Sequence, residues 1–236
     1  MKLLALETST ERMSLGLQNG DRQWTHEAEG GAMASSTLIP AIMDLLHQAD
    51  LRLPELQAIC FGRGPGAFTG LRTACAVAQG LSLGADLPVL PIDTLHIVAE
   101  AARSHSPRVL VVMDARMNQV YTAAGEWLDG QWHSLQAPQL AHPSQVQVPA
   151  GWHEQGFVLA GTAWGVPELH TELQTLLSDK AQAMALWPQA SALLRLGAAA
   201  WQRGEALPAD QALPVYVRDQ VALTTQERLA LKAATP

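Results

Sequence analysis

The chain has 236 residues, of which 48% are hydrophobic and 16% are charged, so it carries enough apolar material for a large core. Its formal net charge is −7 and it has no basic run, which argues against a protein that grips nucleic acid unaided. Two cysteines, Cys60 and Cys75, lie in apolar surroundings without CxxC spacing, so we expect buried free thiols. The short apolar run at the N-terminus is a poor signal peptide, and no segment has the ~18 apolar residues of a membrane span. We therefore expect a cytosolic protein without a membrane contact.

The first half of the chain alternates strand and helix patterns. Three strands open it, and the dipeptide Asn19-Gly20 predicts a hairpin turn between the second and the third. Apolar residues at helical spacing predict a helix over 35–49. A short strand at 56–61 then runs into a glycine loop, and a helix follows at about 69–84. The segment LPVLPID predicts one more strand, with a helix directly after it.

The second half repeats the beginning of the first. Pro107 marks a candidate boundary, which divides the chain into a first lobe, 1–106, and a second lobe, 107–236, whose tail can cross back to the first. The strand that follows ends in Asp114, as the first strand of the chain ends in Glu7. This common start suggests a duplication. Further on, the sequence predicts a strand in VLAGTAW, helices in PELHTELQTLLSD and QASALLRLGAAAWQRG, and a final strand or extended segment in ALPVYVRD.

The glycine loop in CFGRGPGAFTGLR is the first candidate site. It is not a P-loop, which needs a lysine after its last glycine, and Gly64, Gly66 and Gly70 have GxGxxxG rather than dinucleotide spacing. Its place between a strand and a helix still suits an anion, because backbone N–H groups point outward at a helix N-terminus. Arg63 and Arg72 could assist such binding. The alternative is a tight turn with close packing of strand on helix.

The acidic turns at the two strand ends form the second candidate site. Glu7, Thr8 and Ser9 stand where actin-like ATPases bind phosphate and magnesium, usually with the pattern Asp-x-Gly-Thr. Here the glycine is missing, and a side chain at that point hinders the approach of a phosphate to the backbone. The counterpart at Asp114 also lacks the glycine, and two long side chains follow it. Both turns can therefore be plain polar turns of a hairpin.

Other chemistry finds little support in the sequence. No two of the eight histidines have HxxxH spacing, and no GxSxG elbow occurs, so we expect neither a metal site nor a nucleophilic serine. The helices at 35–49 and 69–84 have apolar or small residues on more than one face. That surplus is either buried within the lobe or covered by another subunit.

Several motifs together resemble the bacterial TsaB (YeaZ) family. They are FGRGPGAFTGLR at 61–72, AQGL at 78–81, DARM at 114–117 followed by Val120-Tyr121, and PVYVR at 214–218. Their order and spacing agree across nearly the whole chain, and the first two blocks are highly specific. The resemblance implies an actin-like (ASKHA, ribonuclease H-like) α/β fold with two lobes, each a mixed β-sheet flanked by helices.

The resemblance also implies a function without catalysis. The family would scaffold and activate TsaD, which transfers threonylcarbamoyl from threonylcarbamoyl-AMP to N6 of the adenosine beside the anticodon of certain tRNAs. TsaE, a small ATPase, would join them, the chain would also form homodimers, and tRNA would be reached only indirectly. The HxxxH metal ligands of TsaD would fall near Thr94 and Val98, so no metal and no cofactor are expected here.

The resemblance places the partner and dimer surface on the helices of the first lobe. Its expected residues are Leu38, Ile42, Leu45, Ala74 and Ala78, with Arg63 and Arg72 near the rim. A vestigial nucleotide site would comprise Glu7, Thr8, Ser9, Gly64, Gly66 and Asp114. The chain departs from the family at Glu7, where Asp is usual, and at Ala34, where many members have histidine. Two rivals remain: an actin-like ATPase or small-molecule kinase that uses the Glu7-Thr8 turn and the glycine loop, and a homodimeric regulator without a TsaD contact.

Overall fold

The computed structural model describes residues 1–31 and 33–218, and within these ranges the chain forms two five-stranded sheets. The strands of the first sheet are β1 (Lys2–Glu7), β2 (Arg12–Asn19), β3 (Arg22–Glu29), β4 (Ala58–Gly64) and β5 (Val89–Asp93). Their order is β3-β2-β1-β4-β5. Strand β1 pairs antiparallel with β2 and parallel with β4, and β4 pairs parallel with β5.

The second sheet has the same design. Its strands are β6 (Arg108–Asp114), β7 (Val120–Leu128), β8 (Gln131–Ala141), β9 (Phe157–Ala160) and β10 (Ala181–Met184), in the order β10-β9-β6-β7-β8. Strand β6 takes the place of β1, with an antiparallel neighbour on one side and a parallel neighbour on the other. The internal repeat predicted from the two acidic strand ends is therefore present in the topology.

Helices cover both sheets. They are α1 (Ala34–Gln48), α2 (Phe68–Ala85), α3 (Thr94–Ala102), α4 (Trp152–Gln155), α5 (Pro167–Gln174) and α6 (Ala190–Gln202). One core cluster joins α1 and α2 to one face of the first sheet, and a second cluster joins α6 to the other face. Helix α3 packs its Leu95 and Val98 against the second sheet, whose opposite face is covered by α5.

Packing does not follow the order of the chain. Helix α6 comes late in the sequence, yet its Leu193 and Leu194 share a core cluster with Leu3 and Ala5 of β1. Further along, the backbone of Leu207 pairs with that of Val89 in β5. The predicted division at 106/107 remains a prediction, and α6 packs with the first sheet rather than the second. The tail beyond 218 lies outside the described residues.

The predicted helices near 35–49 and 69–84 are confirmed as α1 and α2. In both helices, the apolar residues at helical spacing face the sheet. This orientation stabilises the fold, because burying one large aliphatic side chain contributes about 1.5–3 kcal/mol to the free energy of folding. Among the described residues, no helix is both long and apolar enough to cross a membrane.

Candidate functional site

The Glu7 turn and the glycine loop lie against each other. Strands β1 and β4 are parallel neighbours, so their carboxyl ends reach the same edge of the sheet. There the Thr8 hydroxyl donates to the carbonyl oxygen of Gly70 at 2.7 Å. The backbone N–H of Ala67 donates to the carbonyl oxygen of Ser9, also at 2.7 Å. The two segments that would have to cradle a phosphate are thus bound to each other.

The glycines of the loop make room for the protein's own atoms. A Cβ atom at Gly70 would lie 1.8 Å from the carbonyl oxygen of Thr8, and one at Gly62 would lie 1.9 Å from Glu7 Oε2. Gly66 faces Ser9 in the same way, with 2.6 Å between a Cβ and the Ser9 carbonyl oxygen. These distances are far below van der Waals contact, so the glycines serve close packing of loop on turn. Of the two alternatives left open by the sequence, the geometry favours the packing turn.

Glu7 is an acid inside the fold. Its side chain is 1% exposed, and Oε1 accepts the backbone N–H of Ser9 at 2.6 Å. The other oxygen, Oε2, has no hydrogen-bond partner among the described residues. Burial raises the pKa of Glu7 to about 7, although the hydrogen bonds from Ser9 act in the opposite direction. The carboxyl is therefore partly protonated near neutral pH and has no exposed oxygen for a metal ion.

Asp114, the counterpart of Glu7 in the second sheet, is engaged by its own turn. Its Oδ2 lies 2.9 Å from Arg116 Nη1, and its Oδ1 accepts the backbone N–H of Arg116 at 2.8 Å. The backbone N–H of Asp114 donates to the hydroxyl of Thr162 at 3.0 Å. Sequence reasoning missed Thr162 because it reaches the site from a distant segment, after β9. The carboxylate of Asp114 is thus paired with a guanidinium of its own turn.

The two arginines of the loop are also bound to protein groups. Arg63 Nε lies 2.7 Å from Asp93 Oδ1, in an ion pair about one third exposed on each side. Arg72 stacks over the Phe68 ring at 3.8 Å, and its Nε donates to the Tyr216 hydroxyl at 3.3 Å. Each guanidinium is therefore positioned by a protein group through its Nε.

A segment near the end of the described chain ties the loop to the second sheet. The backbone N–H of Val215 donates to the carbonyl oxygen of Arg63 at 2.7 Å. Three residues on, Arg218 Nη2 donates at 2.8 Å both to the carbonyl oxygen of Ala115 and to Gln119 Oε1. The PVYVR motif quoted from the sequence therefore has a structural role, which its residue types alone did not reveal.

The space left between the acidic turns is small. A cavity of about 80 Å³ touches Ser9, Gly66 and Asp114, and a neighbouring one of about 260 Å³ is lined mainly by apolar groups such as Phe68 and Met117. Ligand pockets for drug-sized molecules are usually about 300–1,000 Å³. Three residues of the predicted vestigial site, Ser9, Gly66 and Asp114, thus meet at a small cavity, whereas Glu7, Thr8 and Gly64 do not line it. The site itself remains a prediction.

The described residues contain no group of three or more metal-ligating side chains. Thr94 and Val98, near which the resemblance would place the metal ligands of TsaD, are both fully buried. The Thr94 hydroxyl accepts the backbone N–H of Gly64 at 3.2 Å. It therefore supports the glycine loop.

The structure corrects the residues expected at the partner surface. Leu38, Ile42, Leu45, Ala74 and Ala78 all lie in the core cluster between α1, α2 and the sheet, at 0–2% exposure. Their periodic spacing marked the inner face of each helix, and an inner face cannot contact a partner. The outer face of α1 carries Ile39 and Met43, which are about half exposed, and the outer face of α2 carries Ala76, Gly80 and Leu83.

Comparison with known proteins places the chain in a family. The family model described as "TsaD: tRNA N6-adenosine threonylcarbamoyltransferase" matches residues 31–226. The "tRNA threonylcarbamoyladenosine biosynthesis protein TsaB" of Escherichia coli (strain K12) is 32% identical, over 94% of this chain and 96% of the relative. The protein of the same name from Haemophilus influenzae is 33% identical, over 94% and 95%. The solved structure "YeaZ from Pseudomonas aeruginosa" is 38% identical with a TM-score of 0.82, over 91% and 99%.

The two sheets of one design, each flanked by helices, define a two-lobe α/β protein of the actin-like class. Within that class, the chain belongs to the TsaB (YeaZ) family.

Proposed function

We propose that this chain takes part in forming N6-threonylcarbamoyladenosine in tRNA, as a non-catalytic subunit that scaffolds and activates TsaD. TsaD would transfer the threonylcarbamoyl group from threonylcarbamoyl-AMP to N6 of the adenosine beside the anticodon. The names of the relatives that match nearly the whole chain support the pathway. The TsaD family model supports kinship with the transferase. The site of action would be the cytosol, with TsaE as a further partner.

One observation carries the non-catalytic part of the proposal: the places that a working actin-like cleft keeps open for phosphate are filled. The Thr8 carbonyl occupies the space in front of Gly70, and Arg116 neutralises Asp114. A phosphate held by a glycine loop needs free backbone N–H groups, but the Ala67 N–H is already bound to Ser9.

The outer faces of α1 and α2 are the proposed contact for TsaD or for a second copy of this chain. Ile39 and Met43 are exposed apolar side chains one helical turn apart on α1. On α2, a Cβ atom added at Gly80 would meet no neighbouring segment of the described chain within 4 Å, so a partner helix can approach this face closely. Such a core of apolar and small residues is typical of the centre of an interface.

A charge on this face tests the contact. Gly80→Arg should abolish the complex with TsaD on a sizing column without unfolding the chain, since its side chain would project into open space. Leu135→Lys is the matched control, because Leu135 is half exposed on β8 in the other sheet. Undiminished complex formation by Gly80→Arg would contradict the proposed surface. The same charge at buried Ala78 would unfold the lobe and is not a useful test.

The rival function, an ATPase or kinase, is not favoured by the geometry. We expect no heat in calorimetry when ATP and magnesium are titrated into the chain. Micromolar binding that is abolished by Glu7→Ala would restore the rival. Capture of the chain by immobilised TsaD, in turn, separates the scaffold from a homodimeric regulator that never contacts TsaD.

A further inference from the structure

A groove of about 370 Å³ lies between α3, α6 and the turn that joins β7 to β8. It shares no lining residue with the cavities at the Glu7 turn. One wall is aromatic and consists of His96, Trp127 and Trp132. The other is formed by three arginines, Arg103, Arg195 and Arg203, grouped around the buried carboxyl group of Glu100. None of these residues has a part in the proposed scaffold surface.

The aromatic wall is a group of three neighbouring rings, of which His96 and Trp132 are stacked and the other pairs are tilted. Trp127 and Trp132 are cross-strand partners of β7 and β8, with ring centroids 5.4 Å apart. The His96 ring stacks on Trp132 at 5.4 Å with an interplanar angle of 26°. Burial lowers the pKa of His96 to about 4, so the imidazole is neutral at physiological pH. All three side chains are only partly buried, so ring surface borders the open groove.

The arginine wall keeps unused donors. Arg103, Arg195 and Arg203 have side chains that are 43%, 50% and 55% exposed. All three are paired with acids: Arg195 Nε lies 2.5 Å from Glu100 Oε1, Arg103 Nη1 lies 3.7 Å from Glu100 Oε2, and Arg203 binds Glu205 through Nε and Nη2. The two arginines proposed to hold the phosphate are Arg195 and Arg203. A guanidinium has five N–H donors, so both arginines retain donors after these contacts. Arg103 lies 4.3 Å above the Trp127 ring and continues the stack with a flat, cationic surface.

Part of this arrangement can be explained by the stability of the fold alone. Helices α3 and α6 end beside Arg103 and Arg203, whose charges offset the negative helix ends. The tryptophan pair would then simply cover the end of the sheet. This explanation leaves three polar atoms unaccounted for, because His96 Nε2, Trp127 Nε1 and Glu100 Oε2 are buried at the groove without a hydrogen-bond partner among the described residues. Buried polar atoms in native structures almost always have one.

We propose that this groove binds one unpaired nucleotide of an RNA chain, with the base stacked on the tryptophan and arginine planes and its phosphate held by Arg195 and Arg203. Single-stranded RNA is typically recognised in this way, by aromatic and guanidinium stacking beside cationic groups. The inference rests on the proposed function and deepens it: the chain contacts the tRNA directly, whereas the resemblance implied indirect contact. A free nucleotide offers the same base and phosphate, so the test must separate the two sources.

The test measures binding of the full-length chain to a fluorescein-labelled tRNA anticodon stem–loop, by anisotropy at low salt. AMP serves as the free-nucleotide probe and a fully paired RNA duplex as the negative probe. Trp132→Leu removes a stacking surface, and Arg203→Glu reverses an exposed charge and should not affect folding. Arg22→Glu is the matched control, since Arg22 is also exposed and stacks 4.8 Å above a tryptophan, Trp24 on β3.

Stacking of one base on an aromatic side chain contributes roughly 5- to 150-fold in affinity. We expect Trp132→Leu and Arg203→Glu to weaken stem–loop binding by at least about fivefold, while Arg22→Glu leaves it unchanged. AMP that competes as well as the stem–loop would support the groove as a nucleotide site and assign it to free nucleotide. Equal binding by all variants, or equal binding to the duplex, would overturn the proposal.

The proposal that the groove binds RNA and the proposal that the chain activates TsaD can fail independently of each other. If the chain stimulates tRNA modification by TsaD but the groove variants bind RNA normally, the groove proposal fails alone. If the chain binds RNA through the groove but has no effect on TsaD, the scaffold proposal fails alone. Circular dichroism of each variant verifies the fold, and Arg203→Glu keeps the test open if Trp132→Leu does not fold.

Discussion

Replacing Glu7 by glutamine should remove a pH-dependent penalty from the folded state. The carboxyl is buried at the end of β1, one oxygen has no partner among the described residues, and its pKa is raised to about 7 by burial. A glutamine of nearly the same shape can still accept the Ser9 N–H and carries no charge at any pH. The comparison of the two chains therefore isolates the cost of ionising Glu7.

The magnitude follows from the two pKa values. In the unfolded chain the carboxyl has a pKa of 4.5, and in the fold about 7. Because the folded value is higher, the unfolded state loses its proton first, and stability falls as the pH rises from about 4.5 to 7. One pKa unit corresponds to about 1.36 kcal/mol, so the chain loses roughly 2.5 kcal/mol through Glu7 between pH 5 and pH 8.

Urea denaturation at pH 5 and pH 8, monitored by tryptophan fluorescence, measures this loss. The free energy of unfolding of Glu7→Gln minus that of the unsubstituted chain should be roughly 2.5 kcal/mol larger at pH 8 than at pH 5, which means that the variant gains stability relative to the unsubstituted chain as the pH rises. The contributions of other titrating groups cancel in that difference. If the difference is absent, or if the variant is less stable at pH 8 than at pH 5 by the same comparison, the raised pKa of the buried Glu7 is refuted.

Two further predictions concern stability. Gly70→Ala should destabilise the fold by about 3 kcal/mol or more in urea denaturation, because its Cβ would collide with the Thr8 carbonyl. On the same helix, Gly80→Ala should stabilise the fold by about 0.5–1 kcal/mol, because the added Cβ would contact no neighbouring atom. Equal effects of the two substitutions on stability would refute the packing role of the loop. The lowered pKa of His96 makes stability fall as the pH drops from 6.5 towards 4, by about 2 kcal/mol at pH 5. His96→Phe should flatten that slope in thermal unfolding, and an unchanged slope would contradict the buried neutral imidazole.

Local patterns predicted the elements well where the sequence carries the signal itself. Helical spacing placed α1 and α2 within about one residue of their ends. Strand β4 is longer than the predicted 56–61 strand and ends at Gly64, because Gly62 and Gly64 still pair with β5. The sequence shows a glycine as a break, whereas a neighbouring strand can hold it in a ladder.

The packing of distant segments lay beyond the sequence. Spacing identified Gly70 as unusual but could not show that Thr8, far away in the chain, fills the space in front of it. Periodicity likewise identified Leu38 and Ala78 as apolar stripes without telling an inner from an outer face. Helix α6 was predicted as a helix, but its position on the first sheet depends on contacts with Leu3 that no local pattern encodes.

The central claim is that the chain activates TsaD without doing chemistry itself. The direct measurement is the rate of threonylcarbamoyladenosine formation in tRNA by purified TsaD and TsaE, supplied with threonylcarbamoyl-AMP, with and without this chain. We expect modification of the tRNA to require the chain, to continue when the chain carries Glu7→Gln, and to stop when it carries Gly80→Arg. Full modification in the absence of the chain, or loss of activity with folded Glu7→Gln, would contradict it.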